Sequence, residues 1–408
     1  MLIPFLFALL SFTGCASALS QLVEHHATVL SPTNDPFYDP PRGWESASPG
    51  YVSRSRKIRL AFLQIHEFKY KAAYQLLYRT TGAYEHNATT TVTTVIISHN
   101  AVMDKLVNYL VYTDANGAQC APSYVMQLGR MTLDATRATL NFELTYGYSG
   151  GAIASGWAAA LQASYAPKIN AIGYGMGGTP ANLSSTVESP DTSLFAGFAV
   201  TGVTGLLYTF PQLLAWAQSR ITDKARDAIE FARSNCLLNV LLEFPFNRFL
   251  RDTYIENGAR LLYEPIVRSV VADMTMGLKK SETPVAPVYM FHGRHDEIIS
   301  YNDAIKTAKS WTEHGANVAF HELTDRASGH LVTGLTGIVN SLFFVRDRFA
   351  GKPFPKGFGH TTANSGLDGI DADAPGIASL VSAIEEIIGK EVGPADSILK
   401  SRIAANAH

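Results

Sequence analysis

The segment Gly147-Tyr148-Ser149-Gly150-Gly151 restricts the fold of this chain more than any other part of the sequence. Residues 142–148 before the serine suit a β-strand, and the alanine-rich residues 151–165 after it suit a helix. The glycines on both sides allow strand and helix to approach closely across a tight, strained turn. The pattern is typical of a nucleophile elbow, and a plain glycine-rich turn is the alternative.

Short apolar runs alternate with helical patterns through the rest of the chain. Such alternation predicts an α/β fold with a mostly parallel sheet that helices cover on both faces. The predicted strands are residues 74–78, 89–98, 106–113, 142–148, 169–174, 288–292 and 318–323, and the first three are interpreted as the opening strands of a sheet. The predicted core helices are residues 131–142, 151–165, 337–349 and 377–388.

The interval between the predicted strands 169–174 and 288–292 is far longer than an ordinary crossover connection. It shows no strand pattern, so we expect a helical cap, with an amphipathic helix at 221–233 followed by a phenylalanine-containing apolar run at 237–249. The apolar residues of this cap suggest a hydrophobic substrate cavity; the alternative is that they form the cap's own core. The predicted division is a signal peptide (1–18), an extended leader (19–73), a core (74–183 and 285–408) and a cap (184–284).

The N-terminus is an apolar run that ends at the small residues 16–18, a pattern suited to signal peptidase. The run has no Lys or Arg, so a membrane anchor or a buried helix is the alternative. Lys and Arg total 33 against 35 Asp and Glu, which gives no positive surplus for binding a phosphate backbone. We therefore expect a secreted, extracellular protein with no nucleic-acid partner.

Loss of the signal peptide would leave two cysteines, Cys120 and Cys236. An even pair in a secreted chain suggests one disulfide, and two buried free thiols are the alternative. Asn87 and Asn182 begin N-glycosylation sequons, which agree with secretion.

A nucleophilic serine needs a histidine base and an acid that orients the base, and in folds with this elbow the chain order is Ser, acid, His. Asp296 follows the predicted strand 288–292 in the loop at its carboxyl end, where sheets of this class place their sites. Three other acidic residues compete for this role: Glu297, Asp303 and Asp325. His330 follows the predicted strand 318–323 after a short loop and is the expected base.

The oxyanion of an acyl-transfer intermediate needs two hydrogen-bond donors. The N–H of Gly150, directly after the serine, is expected to be one of them. The second should come from the loop after an early strand, where Asp114 lies. A plain aspartate at a strand-ending turn is the alternative, because an ionised carboxylate would repel an oxyanion.

Several stretches of the sequence resemble the fungal secretory lipase family. They span most of the chain and read DPFYDPPRGWE (35–45), SRKI (55–58), CAPSY (120–124), GYSGG (147–151), YAP (165–167), GGTP (177–180), FAGFA (195–199) and GH (329–330). The resemblance implies an α/β-hydrolase fold with a helical cap. It also implies a triad of Ser149, Asp296 and His330, an oxyanion hole from Asp114 and Gly150, and a disulfide between Cys120 and Cys236.

Relatives in this family carry an extra strand and loop between the positions of Cys120 and Ser149, and this chain is too short there to hold them. We therefore expect one core strand to be missing beside the strand that leads to Asp114. A skipped exon in the gene model and a shortened natural variant are both open explanations.

The function implied by the resemblance is that of a secreted serine ester hydrolase, a lipase that cleaves acylglycerols or similar carboxylic esters. It would act as a monomer at a lipid–water interface and would use no metal and no organic cofactor. Two alternatives use the same scaffold: a narrow-specificity esterase or deacetylase of a secondary metabolite, and a catalytically silent binding protein.

Overall fold

The computed structural model describes residues 29–60, 70–82, 87–111, 115–127 and 143–371, together with Ile377, Leu380 and Ile384. The strands are β1 (Val52–Ile58), β2 (Tyr70–Thr81), β3 (Ala88–Ser98), β4 (Leu106–Leu110), β5 (Glu143–Tyr148), β6 (Ala171–Gly177), β7 (Val288–Gly293), β8 (Val318–Leu323) and β9 (Phe358–Ala363). The α-helices are α1 (Pro122–Val125), α2 (Gly150–Tyr165), α3 (Leu183–Glu188), α4 (Gly197–Thr209), α5 (Pro211–Gln218), α6 (Asp223–Ser234), α7 (Leu237–Glu243), α8 (Pro265–Asp273), α9 (Tyr301–Glu313) and α10 (His330–Phe349). Short 3-10 helices are Pro36–Tyr38, Trp44–Ser46, Ala118–Cys120 and Gly258–Tyr263.

The central sheet has six strands in the order β4-β5-β6-β7-β8-β9, and every neighbouring pair is parallel. Parallel neighbours need long crossover connections, which α2, the cap, α9 and α10 provide. The carboxyl ends of β5, β7 and β8 consequently lie at one edge of the sheet. The predicted α/β fold with a mostly parallel sheet is confirmed.

The second sheet is antiparallel, in the order β1-β2-β3. Residues 74–78, 89–98 and 106–113 are interpreted from the sequence as the opening strands of a sheet; the first two lie in β2 and β3 of this antiparallel sheet, whereas the third corresponds to β4 of the central sheet. The connection between β2 and β3 is too short to carry a strand back to a parallel start, so the pair can only be antiparallel. β1 lies in the predicted leader, where Arg56 donates to Gln75 (2.8 Å) and pairs with Asp35 (2.6 Å).

Strand β4 is the edge strand of the central sheet within the described residues, and there the two sheets share no strand pairing. This edge is where we expect the missing strand. Residues 128–142, which precede β5 in the chain, lie outside the described residues, and the predicted helix 131–142 lies among them. The loss of a strand therefore stays a prediction.

Helices α3 to α8 lie between β6 and β7, the interval in which a cap was expected. Their apolar side chains form a cluster of their own, which favours the alternative that these residues build the cap's core. Helix α6 matches its prediction closely, whereas α7 ends at Glu243, six residues before the predicted run ends. In the core, α10 begins at His330 and not at the predicted position 337, and β9 was not predicted.

Covalent and polar contacts join the cap to the loop after β4. Cys120 and Cys236 form a disulfide with an S–S length of 2.00 Å and a Cα–Cα distance of 5.5 Å, so the predicted pairing is confirmed. Gln119 donates to the carbonyl of Ser234 at 2.7 Å. A further hydrogen bond joins the cap to α9, where Ser185 of α3 donates to the carboxylate of Asp303 at 2.7 Å.

No single helix in the described part of the chain has the length and hydropathy of a membrane span; only α4 and α5, bent by 113° to each other, reach those values as a pair.

Candidate active site

Ser149 occupies the turn between β5 and α2, with φ 53° and ψ −123°. Residues other than glycine seldom adopt this backbone conformation. The N–H of Ser149 donates to the carbonyl of Gly177 on the neighbouring strand at 2.9 Å, which holds the turn against the sheet. A Cβ at Gly147 would overlap the carbonyl of Gly151, and a Cβ at Gly151 would overlap the carbonyl of Leu110. Both glycines are therefore required by close backbone contact, as expected for a nucleophile elbow.

His330 is the first residue of α10 and contacts Ser149 through its side chain. The distance from His330 Nε2 to Ser149 Oγ is 2.9 Å, and both side chains are buried. The other ring nitrogen, Nδ1, lies 2.7 Å from Oδ2 of Asp296. The three predicted residues thus form one continuous hydrogen-bond chain, which we call the triad.

Asp296 lies in the loop after β7, and each of its carboxylate oxygens has partners. Oδ1 accepts the N–H groups of Ile298 (3.0 Å) and Ile299 (2.8 Å), while Oδ2 faces His330 and also His292, whose Nε2 is 3.3 Å away. Burial by itself raises the pKa of Asp296, but the charge and hydrogen bonds of His330 and His292 outweigh burial. The pKa therefore lies far below its ordinary value, and the carboxylate is ionised.

The competing acidic residues have other partners. Asp303 accepts the hydroxyl of Ser185, and Asp325 accepts the N–H of Ala327 at 3.0 Å within its own loop. Glu297 does contact His330, but at the backbone: its Oε2 accepts the His330 N–H at 2.9 Å. Of the four acidic candidates, the structure brings only Asp296 to the imidazole.

Gly150 is the first residue of α2, so its N–H belongs to the N-terminal groups that have no partner within the helix. The contact between Gly151 and Leu110 brings the end of β4 against the start of this helix. Asp114 lies outside the described residues, so its role as the second oxyanion donor stays a prediction.

The two predicted glycosylation sites have different surroundings. Asn87 is exposed next to the start of β3. Asn182 is half-buried, and its Oδ1 caps α3 by accepting the N–H of Ser184 at 3.0 Å. Both sites stay predictions.

Three residues around the triad make contacts that were not predicted from the sequence, although Glu297 was among the acidic candidates. His292 contacts Asp296, Glu297 accepts the backbone N–H of His330, and the hydroxyl of Tyr148 donates to the backbone carbonyl of His330 at 2.5 Å. Contacts to a backbone group leave no motif in the sequence. Only the position of Tyr148 directly before Ser149 could have drawn attention to it.

Comparison with known proteins agrees with the geometry of the site. The family model described as "Secretory lipase" matches residues 85–357. The chain belongs to the secretory lipase family. It is 47% identical over 378 residues to the "Secreted triacylglycerol lipase LIP5" of Malassezia furfur, covering 79% of this chain and 99% of that protein. It is 40% identical over 452 residues to the "Secreted triacylglycerol lipase LIP3" of Malassezia restricta, covering 97% of this chain and 96% of that protein.

Among solved structures, the X-ray structure of Candida antarctica lipase A in its closed state is similar to this secretory lipase. The TM-score is 0.77 at 26% sequence identity, covering 89% of this chain and 96% of the other. This similarity confirms the α/β-hydrolase fold. The comparison with the Malassezia restricta lipase extends over 452 positions, more than the 408 residues of this chain. That relative therefore contains residues that have no counterpart in this chain.

Proposed function

We propose that this chain is a secreted triacylglycerol lipase that works through Ser149, His330 and Asp296. The observation that carries the proposal is the unbroken hydrogen-bond chain from Ser149 Oγ through His330 to Asp296, located at a nucleophile elbow. The secreted triacylglycerol lipases of Malassezia, which are relatives over most of this chain, support the substrate class and the extracellular location.

The geometry supports acyl transfer in two steps. Ser149 Oγ attacks the ester carbonyl while His330 Nε2 takes its proton, and the same proton then goes to the departing alcohol. Water attacks the resulting acyl-enzyme with His330 again as base, which releases the fatty acid and regenerates Ser149. Asp296, ionised and held by two backbone N–H groups, keeps the imidazole oriented and stabilises its positive charge.

Gly150 and Asp114 are the proposed oxyanion donors. The N–H of Gly150 lies at the positive end of the dipole of α2, where negative charge is favoured. A preorganised donor of this kind is worth about 3 to 4 kcal/mol of transition-state stabilisation.

The division into a core (74–183 and 285–408) and a cap (184–284) belongs to the same proposal.

The cap carries an exposed apolar surface suited to a lipid–water interface. Leu238 and Leu242 lie one turn apart on α7 and are 49% and 56% exposed, and Phe246, just beyond the helix, is 55% exposed. Phe246 has a left-handed backbone, with φ 60°, and its N–H donates to the carbonyl of Ser193 at 2.8 Å. We call Leu238, Leu242 and Phe246 the apolar patch and propose that it contacts the substrate surface.

The direct test is release of fatty acid from a triacylglycerol emulsion by the purified protein, with Ser149→Ala as the matched control. The wild type should release acid and should react with a fluorophosphonate probe, and the variant should do neither. A wild type that fails to label would instead favour a catalytically silent binding protein. Labelling without hydrolysis of triacylglycerol would favour the narrow-specificity esterase.

A further inference from the structure

We propose that Tyr148 is a positioning residue for the general base, acting through the backbone of His330. This inference rests on the proposed function. Tyr148 directly precedes the nucleophile, and its side chain is buried. Its hydroxyl donates to the carbonyl oxygen of His330 at 2.5 Å, and its ring centroid lies 5.1 Å from that of the imidazole. One residue of the nucleophile strand therefore contacts both the backbone and the ring of the base.

Two glycines make room for this contact. A Cβ at Gly334, four residues after His330 in α10, would lie 2.7 Å from Cε1 of Tyr148. A Cβ at Gly178 would lie 2.8 Å from Cζ of Tyr148 and 3.0 Å from Cε1 of His330. Real Cβ atoms essentially never lie closer than 3.0 Å to another heavy atom, so the two contacts to Tyr148 could not persist. A side chain at either position would therefore displace the tyrosine from the start of α10.

The other side of the His330 backbone is held as well. Its N–H donates to Glu297 at 2.9 Å, and a carboxylate is favoured there because it faces the N-terminus of α10. With Tyr148 on the carbonyl and Glu297 on the N–H, the backbone of His330 is held from both directions. The remaining freedom of the imidazole lies in its side-chain torsions, and Asp296 restricts those.

Positioning at this level matters for rate because Nε2 must stay within reach of Ser149 Oγ. A displacement of about 1 Å can cost a factor on the order of 100 in rate. Tyr148 touches neither the scissile bond nor the transferred proton, so its effect should appear in kcat and not in substrate binding. Tyr148 is joined to Ser149 by a peptide bond and to His330 by a hydrogen bond, so it links the position of the nucleophile to that of the base.

The test is Tyr148→Phe with Tyr146→Phe as matched control. Tyr146 lies two residues earlier on β5, is equally buried, and stacks on the same ring, Phe291, at 6.5 Å against 5.6 Å for Tyr148. Its hydroxyl contacts Ser341 and no triad member among the interactions described for it. Both variants thus lose one buried hydroxyl from one strand, and only one of them loses a contact to His330.

We expect Tyr148→Phe to lower kcat about tenfold with KM within about twofold, and Tyr146→Phe to keep kcat within about twofold. The rate of fluorophosphonate labelling at Ser149 should fall by the same factor as kcat. The low-field proton NMR resonance of the His330 Nδ1–H should shift or broaden in Tyr148→Phe alone. Melting temperatures measured beside these rates separate a loss of stability, which both variants would share, from a loss of positioning.

Equal rates and equal spectra in the two variants would overturn the proposal, and so would a fall in kcat that merely follows the melting temperature. A wild type that hydrolyses no triacylglycerol would instead disprove the proposed function. In that case the labelling rates and the low-field resonance still decide the role of Tyr148, because neither depends on a lipid substrate.

Discussion

The triad and the cap are held together by different interactions. In the triad, every polar side-chain atom has a named partner within hydrogen-bond distance. The backbone N–H groups of two neighbouring residues and the side chains of Tyr148 and Glu297 take part as well. In the cap, α3 to α8 share an apolar cluster, and one disulfide joins them to the loop after β4. Removing a single polar atom of the triad should therefore abolish most of the catalytic rate, whereas substitutions in the cap should lower activity or stability by degrees.

The difference also separates chemistry from substrate selection. A change in the triad alters the step that all esters share, so it should affect short and long esters alike. A change in the cap alters the surface that we propose faces the acyl chain or the lipid droplet, so it should discriminate between esters. Each prediction below tests one side of this contrast.

The largest effect should come from Ser149→Ala and His330→Ala. Each should lower kcat by a factor on the order of 10⁶, and the double variant should lose little more, because triad members act as a unit. Hydrolysis of acetate and of long-chain p-nitrophenyl esters, measured side by side, should fall equally. Appreciable activity in Ser149→Ala on either ester would contradict the mechanism.

Asp296→Asn should lower kcat by a factor on the order of 10⁴, because the amide favours the wrong imidazole tautomer and cannot stabilise the imidazolium. Asp325→Asn is the control, since its carboxylate accepts only a local N–H among its described bonds, a role an amide oxygen can keep. Steady-state kinetics on one soluble ester suffice. A greater loss in Asp325→Asn than in Asp296→Asn would reassign the acid.

The pH profile should show a single acidic limb. The lowered pKa of Asp296 keeps its carboxylate ionised over the pH range in which an imidazole ordinarily titrates, so within that range the base alone is expected to change charge. A general base must be neutral, and an imidazole ordinarily titrates near about 6.5, so kcat/KM should fall about tenfold per pH unit below that region. A flat profile from about pH 5 to 9 in a folded protein would argue against a histidine base.

The triad could be predicted from the sequence because each of its residues follows a strand and is recognised from the few residues around it. The glycines around Ser149 and the short loops before Asp296 and His330 specify the site without reference to distant residues. Tyr148 and Glu297 could not be found in this way, because both contact the backbone of His330. His292 precedes Asp296 by four residues and contacts its carboxylate, but a histidine within a strand pattern carries no signal of such a contact.

The same reasoning explains where the predicted elements differ from the structure. Apolar alternation locates β2 and β3 but cannot say that they pair in a separate sheet, since pairing depends on contacts between strands. Strand β9 was missed because its residues are half-buried or exposed at the edge of the sheet and carry no apolar run. Helix α10 begins before its apolar pattern, at the histidine that the site requires.

Cys236→Ser tests the covalent link between cap and core. The disulfide closes a loop with a sequence separation of 116, and in the chain-entropy model such a constraint is worth about 4 to 5 kcal/mol. The melting temperature should fall clearly, and activity on long esters should decrease more than activity on acetate. Equal losses on both esters would show that the cap has no separate part in binding the acyl chain.

The smallest effect should come from the apolar patch, in the triple variant Leu238→Ser, Leu242→Ser and Phe246→Ser. These side chains are about half-exposed, so the fold should tolerate serine there. Serine removes apolar area that would be buried in the droplet, and the adsorption free energy should weaken by about 25 cal/mol for each Å² of that area. Hydrolysis of emulsified triacylglycerol should fall about tenfold, and hydrolysis of a dissolved short ester should stay within about twofold. Leu342→Ser is the control, because Leu342 is 48% exposed on α10 of the core. If the control lowers emulsion activity as much as the triple variant does, general surface hydrophobicity and not the cap directs the protein to lipid.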